Sequence, residues 1–234
     1  MESNAVTYSP GIWTFDLGNR TGSLLQALLH PMTQEESAKQ TFYDGFHSAS
    51  LTELFSIWGK MFELRNSDDK EVKNAVESAR QFVQRETGRN LLNTQSRIAY
   101  QPIPTLTDKI IHGYGTSRPF VNEVGFIGRD GKTQEVLLLE QSLALTGKNP
   151  DEVGIIMSYL TETPEEVGTI KGYLNKTHTS CTWRVNQQPT NVDERVVRLY
   201  AFLGGFGLDC SGDLDYEGAS FGVRFTEKNL GDKK

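Results

Sequence analysis

Hydrophobic residues in the first two-fifths of the chain recur with the period of a helix. Between Gly22 and Arg85, apolar residues lie three and four positions apart, which places them on one face of a helix. The runs SLLQALLH (23–30) and SLTELFSIWGKMFEL (50–64) both show this spacing. The pattern predicts a helical region of three or four segments within residues 1–92.

Residues at the predicted helix ends match the usual capping preferences. Thr33 is followed three residues later by Glu36, which is the arrangement of a capping box. Either Asp68 or Asp69 can cap a further helix, and Gly88 ends it.

From about residue 91 onward, short extended segments separated by Pro, Gly and Asp replace the helical period. Pro102 and Pro104 exclude a helix and favour extended backbone before them. Further strands are predicted over residues 108–116 and 120–128, with a tight turn at 129–132. The other predicted elements are helices over residues 134–147, 149–160 and 163–177, and strands over 181–187, 194–205, 206–212 and 220–227.

These segments predict an α+β fold in two parts. The first part is a helical N-terminal region over residues 1–92. The second part, residues 93–234, is a mixed domain with a small antiparallel sheet and two helices.

Composition narrows the functional classes. The 234 residues are 37% hydrophobic and 23% charged, as in soluble globular proteins. A pI near 5.3 argues against a nucleic-acid-binding protein, which needs a basic surface for phosphates. No run of 18 apolar residues is present, and the first residues, MESNAVTYSPGIWTFDLG, lack the apolar core of a secretory signal. We expect no membrane insertion and leave the location open.

Residue spacings typical of catalysis or metal binding are missing. Asp213 to Glu217 begins like an EF-hand loop, but the twelfth position is Arg224 instead of Glu. The four histidines show no metal-ligand spacing. Cys181 and Cys210 are far apart and are predicted to be two buried thiols, although they could form a disulfide in an oxidising compartment. We therefore predict no metal and no cofactor.

The last fifty residues carry a more specific pattern. WRVNQQP (183–189), DERVVRLYAFLGGFGLDC (193–210) and, after a polar turn, SFGVRF (220–225) resemble the closing strands of the C-type-lectin fold. The version that they resemble occurs in formylglycine-generating-enzyme relatives and in the variable proteins of diversity-generating retroelements. The resemblance covers about residues 95–228 and implies that the helices predicted at 135–160 are the two helices of that fold. Residues 93–234 would then be a C-type-lectin-like domain.

The two branches of that superfamily imply different functions. The enzyme branch relies on a reactive cysteine pair close in sequence and on metal handling, whereas Cys181 and Cys210 are widely separated. The variable proteins are binding modules whose retroelement rewrites adenines near the 3′ end of the gene. Template AAY codons can then become codons for many residue types, but not for Trp, Lys, Glu, Gln or Met.

Residues 198–216 contain only types that AAY codons can reach, and Glu194 and Glu217 flank this window. Read as a strand, its apolar side chains, such as Leu199, anchor one face in the core, which leaves the opposite face free to vary. The predicted variable surface combines rigid aromatic and charged side chains, as antibody paratopes do. Its residues are Trp183, Arg184, Asn186, Arg198, Tyr200, Phe202, Phe206, Asp209, Asp213, Asp215 and Tyr216.

A strand buried between two layers would show the same aromatic alternation. In that alternative, Tyr200 and Phe202 pack beneath the N-terminal helices and the binding face does not exist.

The sequence as a whole predicts a ligand-binding protein that is not an enzyme and that recognises a protein or glycan through a diversified C-terminal surface. One alternative is a formylglycine-generating-type oxidase, or a related enzyme, on the same fold. Another is an interaction protein that acts through its helical half. The sequence leaves open the ligand, the oligomeric state and the pairing of Cys181 with Cys210.

Overall fold

The computed structural model describes residues 5–39, 43–102, 109–113, 120–123, 136–138, 180–185, 189–200 and 206–228. Within these residues the chain forms two sheets and three α-helices. The elements before residue 92 are β1 (Val6–Ser9), β2 (Ile12–Asp16), β3 (Arg20–Met32), α1 (Gln34–Lys39), β4 (His47–Ser48), α2 (Leu51–Leu64) and α3 (Lys70–Thr87). Those that follow are β5 (Leu92–Tyr100), β6 (Lys109–His112), β7 (Phe120–Glu123), β8 (Val136–Leu138), β9 (Ser180–Val185), β10 (Asp193–Tyr200), β11 (Phe206–Gly212) and β12 (Gly218–Glu227).

The first sheet has the strand order β1-β2-β3-β12-β4 and is antiparallel throughout. Pro10 and Gly11 turn β1 into β2, and Gly11 has a φ of +84°, which glycine adopts without steric cost. β12 comes from the far end of the chain and lies between β3 and β4. Its residues Phe221 and Val223 are buried in the core.

The segment SLLQALLH is a strand, so its predicted helix is wrong. It forms the middle of β3, which pairs with β2 on one side and β12 on the other. The β3–β12 ladder contains two register shifts, and these change which face of β3 is buried. Leu24 and Leu29, five positions apart, are therefore both buried. The buried and exposed residues of β3 therefore do not alternate strictly, and the spacing of its leucines resembles that of a helix.

The helices α1, α2 and α3 confirm the predictions made from capping and periodicity. The Glu36 carboxylate accepts hydrogen bonds from the backbone and side chain of Thr33, and Thr33 accepts one from the Glu36 amide. Asp69, and not Asp68, caps α3 by accepting from the amides of residues 71 and 72, and Gly88 ends the helix. The apolar stripes of α2 and α3 pack with the first sheet in one core, where Trp58 and Phe82 contact Phe221 edge-on.

The second sheet has the strand order β7-β6-β5-β10-β11-β9-β8. Its pairs are antiparallel except β11 and β9, which are parallel. β10 is central, between β5 and β11, and Val196, Val197 and Leu199 are fully buried. The strands predicted at 108–116, 120–128, 181–187, 194–205, 206–212 and 220–227 are confirmed within their described residues.

The predicted fold class, a helical N-terminal region followed by a small sheet with two helices, is wrong. Residues 1–92 supply most of a five-stranded sheet, and the second sheet has seven strands in the described residues. Residues 136–138, inside a predicted helix, form β8. The rest of the helices predicted at 134–147, 149–160 and 163–177, and the turn at 129–132, lie outside the described residues.

A single residue connects the two sheets through its backbone. The Ala49 amide donates to the Phe221 carbonyl of β12 at 3.0 Å, and the Ala49 carbonyl accepts from the Gln95 amide of β5 at 2.8 Å. β12 therefore lies next to β5, and the core is continuous between both sheets.

β5 is buried along its entire length although five of its nine residues are polar. The Thr94 hydroxyl donates to the Val197 carbonyl, at the register shift of β10, at 2.6 Å. Gln34 donates to the carbonyls of Thr94 and Ser96, at 2.7 and 3.1 Å. Arg97 binds the Gln34 side chain and the Glu194 carboxylate of β10. These bonds attach α1 to the second sheet and pair several of the buried polar groups, while Asn93 Oδ1 and Gln95 Oε1 accept no hydrogen bond within the described residues.

Candidate functional site

The outer face of β10 and β11 brings together several residues that the sequence analysis selected. On β11, Leu208 and Cys210 belong to the core, whereas Asp209 lies on the opposite face. On β10, Leu199 points into the core and its neighbour Arg198 points outward, where it meets Asp209 across the ladder. The predicted assignment of faces therefore agrees with the structure at these positions.

Arg198 is the centre of this face. Its Nη2 donates to the Asp209 carboxylate at 2.5 Å, and its guanidinium lies 4.7 Å from the centre of the Tyr216 ring. The other carboxylate oxygen of Asp209 accepts from the amide and hydroxyl of Ser211, at 2.9 and 2.6 Å. Only 12% of each charged side chain in the pair is exposed, so the contact is largely desolvated. Two contacts thus fix Arg198 in one orientation.

Arg195 is a functional candidate that the sequence analysis missed. It donates to both oxygens of Asp193, at 2.8 and 3.2 Å, and also to Asp213. Burial lowers the pKa of Arg195, but its bonds and charge interactions with Asp193 and Asp213 outweigh burial and raise it overall. A register shift between Val196 and Arg198 lets two arginines three positions apart reach the same face. No local sequence signal marks that shift.

Three of the four large hydrophobic side chains exposed in the described residues lie at one end of the β10–β11 pair. They are Val192 (52% exposed), Leu214 (37%) and Tyr216 (41%). The bond between Arg195 and Asp213 holds the start of β10 beside the turn that follows β11. We name this surface the C-terminal patch and define it as Val192, Arg195, Arg198, Asp209, Asp213, Leu214 and Tyr216.

Tyr200 shares the outward direction of Arg198 but is only 8% exposed. Its ring covers the backbone of Gly207, its partner across the ladder. Tyr200 is therefore a packing residue in this structure and does not belong to the C-terminal patch.

The other predicted site residues lie on β9, at the start of β11, in the turn after β11, or outside the described residues. Trp183 and Arg184 lie in β9, paired with Asp209 and Cys210, and Phe206 begins β11. Asp215 is exposed in the turn after β11. Asn186 and Phe202 lie outside the described residues.

The described residues provide few groups for catalysis. Cys210 is 1% exposed, and burial, together with the charge of Asp209, raises the pKa of its thiol well above the ordinary value. A thiol in such surroundings is a poor nucleophile. In the described part of the chain, no three His, Cys, Asp or Glu side chains are grouped closely enough to hold a metal ion. None of the helices described there has the length and apolar content needed to span a bilayer.

Comparison with known proteins finds no matching family model, no similar curated protein and no similar solved structure.

Proposed function

We propose that the protein is a binding protein whose C-terminal patch recognises a protein ligand without catalysing a reaction. The observation that carries this proposal is the grouping of Val192, Leu214 and Tyr216 around two arginine–carboxylate networks. Exposed apolar side chains that are grouped and surrounded by charge are typical of protein-binding surfaces. Two aliphatic side chains beside one Tyr suit a protein ligand better than a glycan.

The patch is also rigid before binding. Arg198 is held by Asp209 and Tyr216, and Arg195 by Asp193 and Asp213. Side chains that are already fixed lose little conformational entropy when a ligand binds. Tyr and Arg are also the residue types that dominate binding energy at interfaces.

The enzyme alternative receives no support from Cys210, because this thiol is buried and its protonated form is favoured. The formylglycine-generating-type enzymes that the sequence resembles rely on reactive cysteines, and reactivity requires an accessible thiolate.

We further propose that the patch is diversified, as in the variable proteins of retroelements. Among the described residues of the window 198–216, Leu199, Leu208 and Cys210 belong to the core, whereas residues 213–216 are exposed. Substitution of the core residues would create cavities or strain, whereas the exposed turn tolerates exchange.

Sequencing of this gene across the source population tests the diversification. We expect substitutions to concentrate at the exposed residues 213–216, while Leu199, Leu208, Cys210 and the buried pair Arg198–Asp209 stay constant. A uniform substitution rate over the gene would remove the retroelement proposal but leave the binding proposal standing.

Peptide selection tests the binding. Peptides selected from a random phage library on the immobilised full chain serve as the probe. We expect the double variant Leu214→Ser/Tyr216→Ala to bind them about tenfold more weakly or worse, while its melting temperature falls only slightly through the lost contact of Tyr216 with Arg198.

The matched control is Tyr8→Ala, because Tyr8 is also exposed but lies on β1 of the first sheet. Peptides that bind all three proteins equally, or that lose affinity only for the control, would refute the C-terminal patch as the binding surface.

A further inference from the structure

A cleft lies beside the first sheet, on elements that do not contribute to the C-terminal patch. It is a cleft of about 650 Å³ between the turn joining β2 to β3 and one face of α2. This volume is within the range of small-molecule sites. Leu17, Asn19 and Arg20 line the side of the turn, and Phe55, Ser56, Gly59, Lys60 and Glu63 line the side of the helix.

Arg20 is the unusual residue of this cleft. Its guanidinium lies 4.6 Å from the centre of the Phe225 ring, so one face of the group is covered. Glu227 is its partner in the β3–β12 ladder, yet the two side chains form no ion pair in the described structure. The other described arginines that pack on aromatic rings each donate a hydrogen bond, Arg85 and Arg198 to carboxylates and Arg65 and Arg224 to backbone carbonyls. Arg20 donates none within the described residues.

Arg20 keeps its hydrogen-bond donors although the charges around it are balanced. Lys60 forms an ion pair with Glu63, and Lys228 binds the Asp16 carboxylate at 2.6 Å. Glu227, opposite Arg20 in the ladder, brings the sum of these charges to zero. Within the described residues no hydrogen bond or ion pair uses the N–H donors of Arg20, so they are open to a ligand.

Gly59 provides space in the cleft. On α2, Ser56, Gly59, Lys60 and Glu63 follow a spacing of three and four, so they share one face. Glycine inside a helix is less stable than alanine by about 0.5–1 kcal/mol. At this position it keeps the wall of the cleft free of a side chain, and the partly buried Leu17 adds apolar surface.

We propose that this cleft binds a small organic anion, namely a carboxylate attached to a short apolar body. The planar donor group of Arg20 matches the two oxygens of a carboxylate. Leu17 would contact the apolar part, and the absence of a side chain at Gly59 would make room for it.

Titration of the full chain with benzoate, followed by NMR, tests this proposal. We expect saturable binding to the unmodified protein, reduced about tenfold or more by Arg20→Gln. Gly59→Leu should also abolish binding, while the higher helix propensity of leucine keeps or raises the melting temperature. Benzyl alcohol, which lacks the charge, should not bind.

The matched control is Arg89→Gln, which removes an exposed arginine outside the cleft. Absence of benzoate binding below about 10 mM would overturn the proposal. So would equal weakening by Arg20→Gln and Arg89→Gln, because the effect would then reflect net charge alone. If Arg20→Gln lowers the melting temperature, Gly59→Leu decides: retained binding in that variant refutes the site.

Discussion

Gly207 is the residue on which the packing of Tyr200 depends. The two are opposite each other on β11 and β10, and the tyrosine ring lies over the glycine backbone. A Cβ atom at position 207 would lie 2.2 Å from Cζ of that ring, a distance at which atoms overlap. The glycine is therefore required by its neighbour and not by its own backbone angles.

We expect Gly207→Ala to lower the free energy of unfolding by about 1–3 kcal/mol, because the added methyl displaces the ring or the strand. Urea denaturation of the single variants and of Gly207→Ala/Tyr200→Ala gives the coupling between the two sites. In the Tyr200→Ala background the same alanine should cost much less. An equal cost in both backgrounds would mean that Tyr200 does not cover Gly207.

At the scale of residues, alternation in the sequence predicts which side chains share a face, but not which of them are exposed. It placed Arg198 and Tyr200 on the same side of β10. The exposed fraction of Tyr200 depends on Gly207 and on the pairing of the strands. Neither can be predicted from the residues next to Tyr200 in the sequence. Arg195 was missed for a related reason, since a register shift set by β11 and β5 decides its direction.

The start of α2 is joined to β4 by an ion pair. Nε2 of His47 lies 2.7 Å from the Glu53 carboxylate, which also accepts from the amide and hydroxyl of Ser50 in a capping box. Burial lowers the pKa of His47, but the hydrogen bond and charge of Glu53 outweigh it, so the pKa rises above its ordinary value of 6.5. Burial raises the pKa of Glu53, but the bonds from His47 and Ser50 outweigh it and lower the pKa below 4.5.

Both shifts stabilise the fold, but their contributions change with pH in opposite directions. A histidine with a raised folded pKa stabilises the fold fully below pH 6.5, and the contribution is lost as the pH rises through the folded value. A glutamate with a lowered folded pKa stabilises it above pH 4.5, and the contribution is lost as the pH falls through the folded value. The pair therefore contributes most between these two pH values.

We expect His47→Gln to destabilise the protein most between pH 4.5 and 6.5 and progressively less toward pH 9. Urea denaturation across this pH range measures the difference from the unmodified chain. His30→Gln, at an exposed position on β3, is the control and should leave the profile unchanged. A destabilisation that grows between pH 6.5 and 9 would contradict the ion pair.

At the scale of elements, the predictions of α1, α2 and α3 are confirmed, whereas the segments that form β3 and β8 were predicted as helices. The signals for α2 and α3 lie within the helices themselves: a capping residue, an apolar stripe and a terminal glycine. The signal for β3 is its pairing with β12, whose residues are distant in sequence. When that pairing is not known, leucines three and four positions apart predict a helix.

In the whole molecule, the first sheet combines strands from residues 6–48 with β12, which lies far along the chain. β12 belongs to the second part by sequence but is a central strand of the first sheet. Phe221 packs against Trp58 and Phe82, and Ala49 joins it to β5 through the backbone. Folding of the first 92 residues thus depends on residues 218–227.

We expect a fragment of residues 1–92 to lack a cooperative thermal transition, because removal of β12 exposes the core around Trp58. Near-UV circular dichroism reports the environment of Trp13 and Trp58, which are fully buried in the complete chain. A fragment with the native tryptophan spectrum and a sharp transition would show that residues 1–92 fold alone. Joining residues 216–228 to the fragment through a flexible linker should recover part of the native signal.

The position of β12 also has a consequence for synthesis on the ribosome. β12 is made roughly 190 residues after the segment of β3 with which it pairs, which takes about 10–40 s at typical rates of elongation. During that interval β3 has one free edge, and the leucines around Leu24 are without their final cover. We therefore expect the yield of the protein in cells to depend on chaperones that bind exposed strands, more than the stability of the finished protein would suggest.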